Sequence, residues 1–458
     1  MSRNKKFLAA MAFVIALFFS LGSGRPASAS LLLEVDADTP MIEADSGGRV
    51  VVRALVRPAP EDALEHRTRN RAPLAVALVI DRSGSMGADR KMENAKRGAI
   101  EALGFLTERD IATIVVYDSK ASTLVSPRAV SAKAKDGVFA QAISRISPQG
   151  STALYDGVEQ GARELRPFVR EGYTPRILLL SDGMANVGPS STRELAALGR
   201  ALSEREMTIT TIGLGLDYNE DLMTAIAAES GGNSYFARTP ESLPGIFARD
   251  MEDAVDLTAR RVSVTLVCDG KVTPVRAIGR SGEQKGKSLS ASIDNVYGAE
   301  KYALFEIEIP PQADKASMTA AAVKVEYVDA VTGEKLSVEA PLKLSFTKET
   351  SIVEKNRNAE VIAQTAIARN AEILEEVVRL ADEGRAEEAS LLLRERASGL
   401  KTISDFAPQA APALQAEAEA MDELASEMES EGSMSNEQRK DNVNKAYMQK
   451  NQQSGHDE

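Results

Sequence analysis

The feature that most constrains this chain is a continuous apolar run, Leu74–Ile80, that leads directly into a polar loop with Asp81, Ser83 and Ser85. A strand that is apolar at every position is buried on both faces, which is typical of a parallel sheet covered by helices. Strand-like and helix-like segments go on alternating as far as residue 257. Repeated strand–helix units of this kind predict an α/β fold with a doubly wound, Rossmann-like sheet over residues 74–257.

The composition excludes several other classes of protein. Two His and a single Cys, Cys268, are too few for a Cys/His zinc site, and the apolar neighbours of Cys268 predict a buried small side chain. Lys and Arg total 55 against 67 Asp and Glu, which makes the formal net charge −12, and Trp is absent. We expect no nucleic-acid binding, because phosphate contacts need clustered Lys and Arg and single strands need aromatic platforms. Any metal ion must therefore be held by oxygen ligands.

The first 29 residues predict a secretory signal peptide. Arg3, Lys5 and Lys6 precede the apolar run 7–21, and Ala27-Ser-Ala29 is a small-residue cleavage site. The run is short for a membrane span, although an uncleaved anchor stays open as an alternative. No later segment has the length and apolar character of a transmembrane helix, so we expect an exported protein, periplasmic or secreted.

The rest of the chain divides by its residue patterns. Residues 31–57 contain two predicted strands, and residues 258–347 contain strand-like segments joined by turns, which is typical of a small antiparallel β-sandwich. Because this sandwich is short of strands, the N-terminal pair could complete it, with the α/β unit inserted between the two parts. Later residues have helical spacing, and the last 28 are polar, which predicts disorder. The predicted divisions are a signal peptide at 1–29, N-terminal strands at 30–60, a linker at 61–73, the α/β domain at 74–257, the β-sandwich at 258–347, a helical domain at 348–430 and a disordered tail at 431–458.

Three predicted loops place oxygen-bearing side chains at one edge of the α/β sheet. Asp81, Ser83 and Ser85 follow the first strand, Thr152 opens a loop before a helix, and Asp182 follows a central strand. Open α/β sheets bind ligands beyond the carboxyl ends of their strands, so we expect these five side chains to converge. Two carboxylates and three hydroxyls are hard donors that suit Mg²⁺, Mn²⁺ or Ca²⁺. Octahedral Mg²⁺ keeps waters, one of which a carboxylate from a protein partner can replace.

These motifs also carry a family resemblance. The loops Asp81-x-Ser83-x-Ser85, Gly150-Ser-Thr152 and Ser-Asp182-Gly, in this order, resemble the von Willebrand factor A-type (VWA) domain over roughly residues 74–255. The resemblance implies a six-stranded sheet with a metal-ion-dependent adhesion site, in which the two serines bind the ion directly and Thr152 and the Asp residues bind directly or through water. Gly-Ser-Thr stands where Gly-Gly-Thr is common in the family, a small departure. The flanking regions resemble bacterial exported A-domain proteins more loosely.

Plainer interpretations of the same residues stay open. The first loop could instead cap the helix that follows it, Thr152 could cap the next helix, and Asp182 could belong to an ordinary turn. We expect Asp118 to be a loop residue, with a position near the site as the alternative. We expect Arg82 to be a solvent-facing side chain, with a contact to an acidic partner as the alternative.

The sequence favours a non-enzymatic function, in which the metal captures an acidic residue of a protein ligand for adhesion or for assembly of an envelope complex. A scaffold subunit that docks through its helical C-terminus is the alternative. A Mg²⁺-dependent phosphohydrolase with Asp81 as nucleophile is disfavoured, because Ser83 stands where such chemistry wants a second carboxylate. The sequence does not indicate an oligomeric state.

Overall fold

The computed structural model describes residues 29–59 and 71–453. Nearly all of the predicted signal peptide, most of the predicted linker and the last five residues therefore lie outside the described residues. In chain order the strands are β1 (Leu31–Ala37), β2 (Met41–Glu43), β3 (Gly48–Pro58), β4 (Leu74–Asp81), β5 (Ile111–Tyr117), β6 (Ala121–Ala129), β7 (Thr174–Ser181), β8 (Thr208–Leu214), β9 (Ser234–Ala237), β10 (Ala259–Cys268), β11 (Thr273–Ile278), β12 (Gly282–Lys285), β13 (Ser288–Val296), β14 (Lys301–Ile309), β15 (Ser317–Asp329) and β16 (Lys335–Thr347).

The longer helices lie between the strands of the α/β unit and at the end of the chain. They are α1 (Lys91–Gly104), α2 (Leu154–Val169), α3 (Thr192–Glu204), α4 (Glu220–Ser230), α5 (Leu243–Val255), α6 (Thr350–Lys355), α7 (Ala359–Asp382), α8 (Ala386–Phe406), α9 (Ala411–Glu431) and α10 (Asn436–Asn451). Single 3₁₀ turns occur at Gly84–Gly87 and Pro240–Ser242, and one irregular helical stretch runs through Ala132–Ala134, Lys135–Phe139 and Ala140–Ser144.

The α/β unit is built on a six-stranded sheet with the order β6-β5-β4-β7-β8-β9, in which β6 alone is antiparallel to its neighbour. Every residue of β4 and β7 is buried, because α1 and α5 cover one face of the sheet and α2, α3 and α4 cover the other. The chain winds outward from β4 in both directions, so the carboxyl ends of β4 and β7 flank the point where the winding reverses. The predicted doubly wound α/β fold is confirmed.

The β-sandwich packs a four-stranded sheet, β1-β3-β14-β11, against a six-stranded sheet, β12-β13-β10-β15-β16-β2. One apolar core joins them, with Val52 and Phe305 from the first sheet and Leu266 and Val323 from the second. β3 pairs with β14 from Gly48 to Val56, although the α/β unit separates the two strands in sequence. The α/β unit is therefore inserted into the sandwich between β3 and β10.

The N-terminal region holds three strands instead of the two that the sequence predicts. The extra strand, β2, has only three residues and pairs in parallel with the end of β16. A segment this short carries too little alternation of apolar and polar residues to be detected, and its partner strand lies about 300 residues away in sequence.

The end of the helical region also differs from its prediction. The predicted disorder of residues 431–458 is wrong for 436–451, which form α10. Ser435 and Gln438 make a reciprocal capping box at its start, and Lys440 and Tyr447 are buried against other parts of the molecule. Polar tertiary contacts hold this helix, so an argument from the scarcity of apolar residues misses it. Across residues 29–59 and 71–453, no helix combines the length and apolar character that a bilayer span requires.

Candidate metal centre

Two buried carboxylates lie side by side at the carboxyl edge of the α/β sheet. Asp81 ends β4 and Asp182 directly follows β7, and the two strands pair in parallel with Ile80 opposite Leu180. Both Asp residues have 0% relative exposure, whereas Ser85 in the loop above them is exposed to solvent. The sheet thus places two carboxylates at the floor of a site that opens on one side.

Hydrogen bonds join four of the five predicted site residues in a row. The backbone N–H of Ser83 donates to Asp81 Oδ1 at 2.7 Å, and the hydroxyl oxygens of Ser83 and Ser85 are 3.0 Å apart. The Ser85 hydroxyl then donates to Asp182 Oδ1 at 2.6 Å. The first loop therefore bridges the ends of two adjacent strands.

Thr152 reaches the same space from the loop before α2. A Cβ atom added at Gly183 would lie 3.4 Å from Ser85 Oγ and 3.8 Å from Thr152 Oγ1, so both hydroxyls border one small volume beside Asp182. Thr152 is buried, its backbone N–H donates to Asn186 Oδ1 at 2.8 Å, and Asn186 N–H donates back to the Thr152 carbonyl at 3.1 Å. All five predicted residues are thus brought together.

The loop that carries Thr152 is tied to the first loop through its backbone. Gly150 has a φ of +70°, and a side chain there would meet Ser119 Oγ at 2.9 Å, so glycine is required on both counts. Its carbonyl accepts a hydrogen bond from Gly84 N–H at 3.1 Å. The backbone N–H of Gln149 donates to the Arg82 carbonyl at 2.7 Å, which adds a second tie.

The sequence predicts a solvent-facing side chain at Arg82, but in the structure this side chain points into the protein. Its guanidinium Nη2 lies 2.8 Å from Asp118 Oδ2, and both side chains are largely buried. Gln149 Nε2 donates to the same carboxylate oxygen at 2.9 Å. Asp118, expected to be an ordinary loop residue, therefore joins the first loop to the loop that carries Thr152.

Two further residues belong to the site and were not predicted. The Ser181 hydroxyl donates to Asp81 Oδ2 at 2.9 Å, and Lys91 Nζ lies 2.9 Å from Asp182 Oδ2. Ser181 could have been found from the alternation of side chains in β7, which turns it toward the neighbouring strand ends. Lys91 gives no such signal, because a lysine at the start of a helix is ordinarily solvated.

The environment disfavours two full negative charges on the carboxylates. Burial raises the pKa of the Asp81 carboxyl to about 6, and the charge of Asp182 adds to this shift, although hydrogen bonds from Ser83 and Ser181 oppose it. Burial also raises the pKa of the Tyr117 phenol, whose hydroxyl donates to the Leu180 carbonyl at 2.8 Å. A positive charge at this edge would be stabilised by both Asp residues.

Comparison with known proteins identifies the family of this unit. Residues 75–249 match the von Willebrand factor type A domain. The α/β unit is a VWA domain. Proteins with VWA domains mediate protein interactions, and some do so through a divalent metal ion.

The VWA domain carries most of the likeness to curated sequences. An uncharacterized protein of Synechocystis sp. is 31% identical over 174 residues, which are 38% of this chain and 40% of that protein. The uncharacterized protein YfbK of Escherichia coli is 26% identical over 249 residues, which are 53% of this chain and 43% of that protein. The chain thus matches about two fifths of the length of these relatives.

The likeness of fold extends beyond the VWA domain. A von Willebrand factor type A protein from Catenulispora acidiphila superposes with a TM-score of 0.67 and 16% identity, over 86% of this chain and 96% of the other. At this identity the likeness shows the fold alone. Because it covers 86% of this chain, the likeness of fold extends to regions that flank residues 75–249.

The donor set of this VWA domain fits a hard divalent cation. The residues that would hold it are the carboxylates Asp81 and Asp182 with the hydroxyls of Ser83, Ser85 and Thr152, all of which are oxygen donors. The Lys91 ammonium beside Asp182 shows that the site already attracts positive charge. Within the described ranges no group of three or more His, Cys, Asp or Glu side chains is arranged to hold a metal. Any ion at this edge therefore depends on the hydroxyls as much as on the carboxylates.

Proposed function

We propose that the VWA domain holds a divalent metal ion, Mg²⁺ in the first instance and otherwise Mn²⁺ or Ca²⁺, and uses it to capture an acidic residue of a protein ligand. The observation that supports this most directly is the placement of two fully buried carboxylates beneath the exposed Ser85 hydroxyl. Negative charge at the floor and an opening above it suit a cation that is approached from solvent.

Each proposed ligand has a defined part in this binding. Asp81 and Asp182 supply the negative charge, and their positions are fixed by the ends of β4 and β7. The hydroxyls of Ser83, Ser85 and Thr152 complete the oxygen set without adding charge. When bound, the ion supplies an electrophilic coordination position for a carboxylate from outside. The protein ligand is then held by coordination of its carboxylate to the bound ion.

The geometry does not favour hydrolysis as the function. Both oxygens of Asp81 accept hydrogen bonds, from Ser83 N–H and from the Ser181 hydroxyl, and the side chain is fully buried. A carboxylate in this position is poorly placed to attack a substrate. We therefore propose a binding protein and assign no catalytic residue.

A scaffold role for the helical region is the second candidate. Leu391 and Phe406 on α8 are large apolar side chains that remain exposed. Exposed apolar side chains on a helix can serve for docking, although single ones are common on protein surfaces. Loss of a partner after Leu391→Ser and Phe406→Ser, with metal binding intact, is the result that would distinguish this role from the first.

We also propose that the protein acts outside the cytoplasm, in adhesion or in assembly of an envelope complex. The proposal rests on the signal-peptide pattern of residues 1–29. Expression of the whole chain with N-terminal sequencing of the periplasmic or secreted product tests it, and Ser30 is the expected first residue. A product that stays in the cytoplasm with Met1 retained contradicts export.

Titration calorimetry with Mg²⁺, Mn²⁺ and Ca²⁺ tests the metal site. We expect the wild type to bind at least one of these ions, and Ser83→Ala and Thr152→Val each to weaken that binding tenfold or more, since each removes one oxygen ligand and little volume. Ser126→Ala, at an exposed position on the edge strand β6, is the control and should bind as the wild type does.

Capture of a protein ligand tests the second half of the proposal. A ligand retained from envelope material with the favoured ion should be released by a chelator and should not be retained by Ser83→Ala. If the same amount of ligand is retained in the presence of chelator and by Ser83→Ala, metal-dependent adhesion is ruled out. If no ion binds at millimolar concentration, the metal site itself is ruled out.

A further inference from the structure

Lys91 places a fixed positive charge inside the candidate metal centre. It is the first residue of α1, and its side chain is only 10% exposed. Its Nζ lies 2.9 Å from Asp182 Oδ2, while the other oxygen of Asp182 accepts the Ser85 hydroxyl at 2.6 Å. The ammonium therefore contacts a carboxylate that is itself a proposed metal ligand.

The surroundings of Lys91 keep its charge at this place. A Cβ atom added at Gly215 would lie 3.8 Å from Lys91 Nζ and 3.9 Å from its Cε, so the end of the side chain passes under the loop after β8. Only 10% of the whole side chain is exposed, so its stem is covered as well. A long side chain held in this way has few alternative positions, and its charge stays close to Asp182.

We propose that Lys91 is a tethered competitor of the metal ion, which neutralises Asp182 in the metal-free protein and lowers the affinity of the site for metal alone. This inference rests on the proposed metal site. A divalent ion bound through Asp182 would lie close to the ammonium, and like charges at short distance in a partly buried site repel strongly. Metal entry must therefore either displace the ammonium from Asp182 or tolerate its repulsion.

This competition has a consequence for ligand capture. Two carboxylates, an ammonium and a divalent ion together leave the site with a net positive charge. A carboxylate from a ligand restores neutrality, so the ion and an acidic ligand should stabilise each other's binding. Lys91 thus weakens the binding of the ion alone, and tight binding of the ion depends on the acidic ligand.

If Lys91 and Asp182 form only a structural ion pair, the expected results are different. If Lys91 only anchors the start of α1, its replacement lowers the stability of the metal-free and the metal-bound protein alike and leaves the metal affinity unchanged. A competitor, in contrast, raises the metal affinity when it is removed. Measuring both the metal affinity and the stability of the Lys91 variants therefore distinguishes a structural ion pair from a competitor of the metal.

The test compares Lys91→Met with Lys96→Met in the full chain. Met retains the length and apolar character of the lysine side chain, and Lys96 lies on the same helix with its Nζ 2.9 Å from the Ser144 carbonyl, away from Asp182. Titration calorimetry with Mg²⁺ and Mn²⁺ should show at least tenfold tighter binding for Lys91→Met. Lys96→Met makes the same change in net charge and should remain within about twofold of the wild type.

Thermal unfolding supplies a second readout. Without metal, Lys91→Met should melt at a lower temperature than the wild type, because Asp182 loses its counter-charge, and added Mg²⁺ should raise its melting temperature by more than it raises that of the wild type. If Lys91→Met does not fold, Lys91→Gln retains a hydrogen-bond donor for Asp182 and should show the same gain in affinity.

The outcomes separate this inference from the proposed function. Wild-type binding of metal with an equal or weaker affinity in the Lys91 variants overturns the competition and leaves the metal site standing. Absence of metal binding in the wild type and in every variant overturns both. Tighter binding in Lys91→Met and Lys96→Met to the same extent shows a general charge effect, and it also overturns the specific role of Lys91.

Discussion

Asp110 shows how a single buried charge stabilises the VWA domain at the end remote from the metal centre. It precedes β5 and is fully buried, with Arg71 beside it. Arg71 Nη1 and Leu74 N–H each donate to Oδ1 at 2.8 Å, and Thr107 N–H donates to Oδ2 at 2.7 Å. This carboxylate therefore joins the start of β4 to the turn before β5.

The pKa of Asp110 gives a prediction about acid. Desolvation alone would raise this pKa, but the hydrogen bonds from Arg71, Leu74 and Thr107 outweigh it and hold the pKa below its ordinary value. A carboxyl with a lowered pKa stabilises the folded state above its unfolded pKa, about 3.9, and that contribution is lost as the pH falls through the folded pKa. We expect Asp110→Asn to lower the free energy of unfolding by about 3 kcal/mol at pH 7.

Urea unfolding at a series of pH values measures this effect. The difference between wild type and Asp110→Asn should be largest near neutral pH and should shrink below about pH 4. Asp217→Asn, at an exposed loop position, is the control and should change stability little at any pH. A difference that stays constant down to pH 2 would show that packing, and not the charge of Asp110, stabilises this corner.

At this scale the sequence predicts the five oxygen-bearing residues because each stands at a strand end or a loop start. The residues that it misses act through distant partners. Lys91 meets Asp182 only because α1 folds back over the sheet, and Arg82 meets Asp118 only because two loops cross. Local pattern carries no information about such contacts, so their charge balance becomes visible only in three dimensions.

Among the elements, α10 makes the contacts least expected from sequence. The buried ammonium of Lys440 donates to the Tyr218 carbonyl and to Glu220, and it lies 4.3 Å from the centre of the Tyr218 ring. Arg439 pairs with Asp221 and with Asp382 of α7, each at 2.8 Å. The helix thus fixes the start of α4 on the VWA domain to the helical region.

Lys440→Met should loosen this attachment. It leaves the buried Glu220 without one of its two cations, which costs about 3 kcal/mol for a buried pair, or on the order of a hundredfold in local opening. Hydrogen exchange measured by mass spectrometry should become faster in 436–451 and in 216–222, because both sides of the contact lose protection.

Lys445→Met on the same helix is the matched control. Lys445 pairs with Glu417 at 3.0 Å in a partly exposed position, and exposed pairs contribute under about 1 kcal/mol. It should leave exchange in 216–222 unchanged. Equal effects of the two variants on hydrogen exchange, or no effect of Lys440→Met on exchange in 216–222, would contradict a role for α10 in fixing the start of α4.

The elements that are predicted well from sequence and those that are predicted badly differ in the interactions that stabilise them. The strands of the VWA sheet are continuous apolar runs, and a buried parallel strand is visible in one segment. β13 is harder to predict from sequence. Its buried Leu289, Ala291 and Ile293 alternate with other residues, several of them Ser, and both Ser and Ala are weak strand formers. α10 is the hardest element to predict, since its buried Lys440 pairs with Glu220, which lies 220 positions away in sequence.

At the scale of the whole molecule, the order of segments along the chain allows two arrangements that only the pairing of strands distinguishes. The N-terminal strands could form a separate hairpin or could join the later β region. β3 pairs with β14 from Gly48 opposite Ile309 to Val56 opposite Lys301, so the second arrangement holds. The register of distant strands is set by burial of a common core, which no local pattern reports.

The insertion has a mechanical consequence for any ligand held at the sheet edge. The chain enters the VWA domain at the start of β4 and leaves it after α5, and both connections lie at the edge opposite the proposed site. Tension between a captured ligand and an anchored β-sandwich would act along the length of β4. The hydrogen bonds of β4 to β5 and β7 would then be loaded together in shear, and they would not open one after another. Under such tension the sandwich would share the load between its two covalent connections to the VWA domain.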